Sequence, residues 1–405
     1  MINSNSEQSR RSFLGNLSKA GLLGITGIVP AAARTGILSA PAAPEHQFLC
    51  KPYLQYPGPN TLSVRWLTAR PCYSWVEYGL NGQLDKKAHR VSHGLVEANN
   101  RLHRIELDAL EPGKKYSYKV CSKDIVSFEP YKLTYGNTIE SDVYTFTAPD
   151  PKSDTVSWLI INDIHDRPES IPHLMKMNGD NPYDFVFFNG DVFDYQSDEQ
   201  QIIDHMLTAC GDTFSTQTPF MYVRGNHETR GKYAREWHQY FDNPGYNNYF
   251  TFNIGPVSAI VLDTGEDKAD EHPVYAGIAD FDHYREEQAR WLEKQLQSPA
   301  FRKAKHKVVM MHIPHYHSGD WHGVMHCREL FGGLFNKHKI DILICGHTHK
   351  YGVYAPVKGE HEYPLIIGGG PKDGNRTIIQ IKADQHKLVL TMLRDDGTKV
   401  GEYTV

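Results

Sequence analysis

The chain has 405 residues, more than one hydrophobic core usually serves, and its 40% hydrophobic and 22% charged residues exclude a disordered protein. A formal charge of -5 and a pI near 6.5 supply no cationic field for a nucleic-acid backbone, so no dedicated nucleic-acid surface is expected and the partner should be small. The 22 histidines gather in the second half of the chain, where a metal site would use them.

The N-terminus reads as an export signal of the twin-arginine type. Arg10-Arg11 precedes Ser12-Phe13-Leu14, then comes an uncharged stretch over 20–33 that ends in Ala31-Ala32-Ala33. That stretch is too short to span a bilayer, so residues 1–44 are expected to be a signal peptide and short linker on a periplasmic or secreted protein without a transmembrane anchor. Cys50, Cys72, Cys121, Cys210, Cys327 and Cys345 show no close pair of the zinc-knuckle kind, and no cysteine metal site is expected. Cys345, inside an apolar run, should be buried and reduced, while pairing among Cys50, Cys72 and Cys121 stays open.

Residues 45–149 alternate short strand-like runs, at 62–67, 74–78, 103–107, 116–120 and 143–147, with turns such as Tyr56-Pro57-Gly58-Pro59 and Glu111-Pro112-Gly113. This is the texture of a small β-sandwich, and no chemistry is visible in it. Thr147-Ala148-Pro149-Asp150-Pro151 reads as a stiff linker. Beyond it the runs 156–161, 185–188, 220–223, 259–262, 308–311 and 342–345 are continuously apolar, as strands buried on both faces are. A helix-like stretch at 284–297 places Ala289, Leu292 and Leu296 on one face, so 150–405 is expected to be an α/β domain.

Five of those apolar runs lead directly into metal-ligating residues: Asp163 and His165 after the first, Asp191 after the second, Asn226 after the third, His312 after Met311, and His347 and His349 after Cys345. Sites in α/β sheets assemble at the carboxyl ends of strands, so these residues should converge. Carboxylate, amide and imidazole donors without thiolate suit hard or borderline divalent ions. Asp191, with a glycine before it that lets backbone approach closely, is the candidate to bridge two ions.

Asp163-Ile-His165, Gly190-Asp191-Val-Phe-Asp194, Gly225-Asn226-His227-Glu228, His312 and Gly346-His347-Thr-His349 resemble the ordered motifs of the calcineurin-like metallophosphoesterase superfamily. The resemblance covers roughly residues 153–405. The preceding β module, in which 116–120 follows Leu110-Glu111-Pro112-Gly113, is similar to the fibronectin type III-like N-terminal domain of purple acid phosphatases. The implied fold is a four-layer αββα sandwich behind a small all-β sandwich.

The resemblance implies an exported hydrolase of phosphomonoesters or phosphodiesters that uses a hydroxide between two metal ions, drawn from iron, manganese or zinc. One ion takes Asp163, His165, Asp191 and His349, and the other takes Asp191, Asn226, His312 and His347. It also implies His227 as leaving-group acid, Asp194 as the residue that fixes its tautomer, and His322 as a phosphate contact. Asp194 stands where purple acid phosphatases carry a ligand tyrosine, which argues against a ferric tyrosinate. The alternatives are a nucleotide or nucleic-acid phosphodiesterase, or a non-catalytic surface-binding protein with a structural metal.

Overall fold

The apolar runs of the second half become strands of two sheets packed face to face. The computed structural model describes residues 44–405, so the stretch expected to be an export signal lies outside the described residues. In one sheet Val156–Ile161, Phe185–Asn189 and Phe220–Val223 run parallel, extended by antiparallel Thr377–Ala383, Leu388–Arg394 and Lys399–Thr404. In the other, Val257–Leu262, His306–Met311, Ile342–Cys345 and Leu365–Ile367 run parallel, bordered by antiparallel Phe250–Ile254 and Gly352–Tyr354.

Successive residues of one strand enter different cores, which is why the runs show no polar alternation. Trp158, Ile160, Phe185 and Phe187 meet Ala259, Val261, Val308 and Met310 between the sheets. Leu159, Ile161, Val186 and Phe188 face the other way, against Ile171, Leu174 and Met206. Ile260, Val309 and Leu343 pack under Leu292, Leu296, Phe331 and Phe335, with the helix Phe281–Leu296 taking the place of the stretch expected at 284–297. The result is the expected αββα sandwich, in which each fully buried aliphatic or aromatic side chain contributes about 1.5–3 kcal/mol.

Residues 45–149 are all β, and their strands are longer than the sequence pattern suggested. The runs at 62–67 and 74–78 form a single strand, Thr61–Leu80. Its pattern breaks near Thr68–Pro71 because the strand shifts register against Ala98–Leu107 there and then takes Lys115–Glu129 as its main partner. Strand Tyr53–Gly58 pairs antiparallel with Thr61–Leu80 and parallel with Phe220–Val223, so hydrogen bonding runs unbroken into the first catalytic sheet. All six cysteines are buried and unbridged. No helix among the described residues is long and apolar enough to cross a membrane.

A buried ionic network fastens the β region to the loop after Phe220–Val223. Arg65 Nη1 lies 2.7 Å from Asp242 Oδ1, both side chains being about 3% exposed. Asp242 also accepts from Ser63 Oγ at 2.6 Å, and its backbone N–H donates to Gln55 Oε1 at 2.7 Å. Removing one partner of a buried pair leaves the other charge uncompensated, so Asp242→Ala should cost about 3–5 kcal/mol in chemical denaturation. A loss below about 1 kcal/mol would show that Arg65 finds water or another acceptor.

Candidate metal centre

The parallel strands of the two sheets meet at their carboxyl ends. Asn189, which ends its strand in the first sheet, donates from Nδ2 to the carbonyls of Met311 and Ile344 in the second, each at 3.3 Å. His312 Nδ1 donates back to the Asn189 carbonyl at 2.7 Å. Contact this close leaves no room for Cβ atoms. A methyl at Gly190 would strike the His312 ring, one at Gly225 would overlap Asp191, and one at Gly346 would lie 2.6 Å from Asp163 Oδ2. Gly368 and Gly370 are similarly crowded by Asn162 and His349, which accounts for the Gly368-Gly369-Gly370 run as packing behind the site.

The candidate ligands gather into two adjoining groups. Asp163, His165 and His349 form one: the Nε2 atoms of the two imidazoles are 2.9 Å apart, and His349 Nε2 lies 3.2 Å from Asp163 Oδ1. Asp191, His312 and His347 form the other, with His312 Nε2 at 2.9 Å from Asp191 Oδ2. The same Oδ2 is 3.7 Å from His165 Nε2, so this carboxylate oxygen stands between the groups. Asn226 Oδ1 is 2.9 Å from His347 Nδ1 and joins the second group.

These groups present lone pairs and protons that have no other use. Buried Asp163 Oδ1 and His312 Nε2 make no hydrogen bond, although both have ring nitrogens or carboxylate oxygens within reach. Burial opposes charge on Asp191, yet neighbouring His312 holds its carboxyl down at about 2. Against the same burial, Asp191 lifts His312 to about 10, and Asp163 and Asp191 lift His165 to about 9. Burial and the charge of His312 push His347 down to about 4. The cluster thus demands positive charge at its centre, and oxygen and imidazole donors converging without thiolate fit a pair of divalent ions.

Backbone strain marks the same residues. Asp163, His165, Asp191, His347 and His349 all have φ between 52° and 73°, the left-handed region that side chains other than glycine seldom adopt. Each such residue costs about 1–2 kcal/mol, and such strain concentrates at functional sites. Left-handed turns after the strands aim these side chains into the space between the sheets.

Glu228, quoted above only as part of a motif, organises the loops. Its buried carboxylate accepts backbone N–H groups of Asp191, Val192, Phe193 and Gly225 at 2.6–3.1 Å and the Tyr222 hydroxyl at 2.7 Å. It ties the Asp191 loop to the Asn226 loop. Glu228→Gln introduces an N–H among donors, and each buried donor left unpaired costs about 1–3 kcal/mol. The variant should melt lower and bind metal more weakly in competitive chelator titrations; a wild-type melting curve with full metal affinity would remove Glu228 from this role.

Asp194 meets His227 through its backbone and not its carboxylate: its Oδ1 lies 2.7 Å from His165 Nδ1, while the Asp194 backbone carbonyl accepts from His227 Nδ1 at 2.8 Å. The reason is register, since His165 N and Asp166 N donate to the carbonyls of Asp191 and Val192, which lays the Asp194 side chain against His165. His322 hydrogen-bonds both oxygens of Asp282 at 2.8–2.9 Å, and Asp282, His322 and His326 form a separate group in which Arg285 also reaches Asp282. None of its hydrogen bonds reaches the cluster around Asp191. Nearby His315 is buried, its Nε2 bonded to the Tyr363 hydroxyl and its Nδ1 without a partner.

His227 itself sits beside the cluster, its ring centroid 4.6 Å from that of His165 in an edge-on arrangement. With Nδ1–H donated to Asp194, its Nε2 accepts from Arg230 Nη1 at 3.0 Å, and Arg230 is clamped on Glu266 at 2.7 and 2.9 Å. No spacing rule pointed to Arg230; its place follows from the short turn His227–Thr229. A carboxylate that receives the second N–H of a ligating imidazole fixes its tautomer, and losing it typically costs 10–100-fold in metal affinity. Asp194→Asn should show about that loss, read by metal titration, and unchanged affinity would make the His165 contact incidental.

Residues 157–351 match the family described as calcineurin-like phosphoesterase, and residues 49–148 match the N-terminal domain of purple acid phosphatase. The chain is 26% identical over 356 residues to acid phosphatase type 7 of Mus musculus, covering 79% of this chain and 75% of the relative. It is 22% identical to a probable purple acid phosphatase 20 of Arabidopsis thaliana, covering 74% and 67%. A purple acid phosphatase from yellow lupin seeds shares its fold, with a TM-score of 0.67 at 18% identity over 87% of this chain and 73% of that one. The chain therefore joins a purple acid phosphatase N-terminal domain to a calcineurin-like phosphoesterase domain, and is a metal-dependent phosphoric ester hydrolase.

Proposed function

We propose that the chain is an exported phosphatase or phosphodiesterase of small phosphate esters. Two ions would be held by Asp163, His165, Asp191, Asn226, His312, His347 and His349, with His227 on the leaving-group side. The observation that carries this reading is the meeting of donors from both sheets around one buried carboxylate, Asp191, with the His227 imidazole beside it. The donor set suits iron, manganese or zinc alike, and bound ions would supply Lewis-acid charge at phosphorus and a water of lowered pKa.

The chain's own residues then divide the work. Asp194 fixes His165 through its carboxylate and His227 through its carbonyl, so one residue sets both ring orientations. In hydrolysis water oxygen bonds to phosphorus, the bond to the leaving oxygen breaks, and that oxygen gains a proton. His227 Nε2, an acceptor from Arg230 here, is the atom placed to give it once the Arg230 contact yields to the anionic substrate and Nε2 has taken up a proton from solvent, forming the imidazolium.

General-acid help matters most for a poor leaving group. His227→Ala should slow an alkyl phosphate by about 10²–10⁴ and a nitrophenyl phosphate clearly less, with metal content unchanged. Equal slowing of both esters would assign His227 to charge stabilisation with Arg230 instead. The proposed ligand set contains no tyrosine, and Asp194 stands at the position that would supply one. The iron-loaded protein should accordingly lack an intense visible charge-transfer band; such a band, lost on mutating a tyrosine, would overturn the ligand set.

A further inference from the structure

A cleft of about 1020 Å³, lined in part by Thr229, Arg230 and Glu266, adjoins His227 through Arg230. Arg230 belongs to both places, since its Nη1 touches His227 Nε2 at 3.0 Å while its side chain lines the cleft. The opposite wall is the segment 274–284, which presents Tyr275, Phe281 and Tyr284 together with Val274 and Ile278. The last two are 65% and 70% exposed, an unusual state for large aliphatic side chains at the mouth of a cleft beside a catalytic cluster.

The charges around the cleft are unevenly committed. Arg224 is paired with Asp263 at 2.6 Å, Arg230 with Glu266 at 2.7 Å and Lys268 with Asp267 at 2.7 Å. On the acidic side Glu287 accepts from Tyr249, and Asp280 faces His283 at 3.6 Å. Lys232 and Arg235, both exposed, make no ion pair among the described residues. The cleft therefore combines an apolar and aromatic wall with two uncommitted cations, and its Arg230 touches the His227 imidazole. A pocket of this size and make-up suits an organic group rather than a bare phosphate ion.

We infer that this cleft is a leaving-group subsite, and that the preferred substrate is a phosphate ester of an alcohol with an apolar or aromatic body and a second anionic group directed at Lys232 and Arg235. The inference rests on the hydrolytic reading above. Val274, Ile278 and the aromatic wall take the body, and the two cations take the charge. Arg230 stands between the body and the ester oxygen that His227 serves.

The experiment compares kcat/KM of the metal-loaded full chain for phenyl phosphate, naphthyl phosphate and a sulfonated naphthyl phosphate. The subsite predicts a rise along that series of about tenfold per step, carried mainly by KM. Arg235→Glu should cut the preference for the sulfonated over the plain naphthyl ester at least tenfold, and Ile278→Asp should cut the preference for naphthyl over phenyl. The sulfonated naphthol product should inhibit wild type competitively and lose that effect in Arg235→Glu. Hydrolysis of all three esters with equal kcat/KM, or a preference unmoved by Arg235→Glu, would overturn the subsite while leaving the phosphatase reading intact. Failure to hydrolyse any of the three would overturn that reading, and the leaving-group assignment with it.

Discussion

Two carboxylates, Asp163 and Asp191, are buried to about 1% exposure where the ends of two sheets meet, and the rest of the site answers that burial. An isolated ionised carboxylate in such a place is strongly disfavoured, so positive charge has to accompany it. The protein supplies imidazoles from the opposite sheet, His312 to Asp191 and His349 to Asp163, at 2.9 and 3.2 Å. That arrangement does not fully satisfy either partner, because Asp163 Oδ1 and His312 Nε2 remain without hydrogen bonds. A pair of dications satisfies both at once, which ties the fold's electrostatics to its chemistry.

The geometry that brings these groups together is held by backbone rather than by long side chains. Glycines at 190, 225 and 346 let loops from different strands touch, and left-handed residues turn the ligands inward. Glu228 then gathers four backbone N–H groups from two of those loops onto one carboxylate. A site built this way is positioned before any ligand arrives, and preorganised charge is the most effective form of electrostatic catalysis. On one side of the cluster His227 and Arg230 meet, and Arg230 also lines the cleft beside 274–284.

Much of this was legible because physics writes it locally. A strand buried on both faces leaves an unbroken apolar run, and the polar residues within a few positions after Ile161, Phe188, Val223, Met311 or Cys345 stand out against it. What the sequence hid was non-local or conformational. The partner of the Asp194 carboxylate depends on which carbonyls the 163–166 loop bonds to, and spacing along the chain carries no record of that. The left-handed φ of Asp163 or His347 is likewise silent, because nothing in an aspartate or histidine signals it. Thr61–Leu80 misled for a related reason: a register shift interrupts alternation just as a turn does. The bond between His322 and Asp282 is hidden in the same way, because the two lie 40 positions apart in the chain.

The proposed role of Asp191 is to bridge two metal ions whose remaining ligands come from both sheets. Anomalous diffraction from crystals of the metal-loaded protein tests this. Two peaks should flank the Asp191 carboxylate, one among Asp163, His165 and His349 and the other among Asn226, His312 and His347. A single peak, or metal at Asp282, His322 and His326 with none at Asp191, would contradict it.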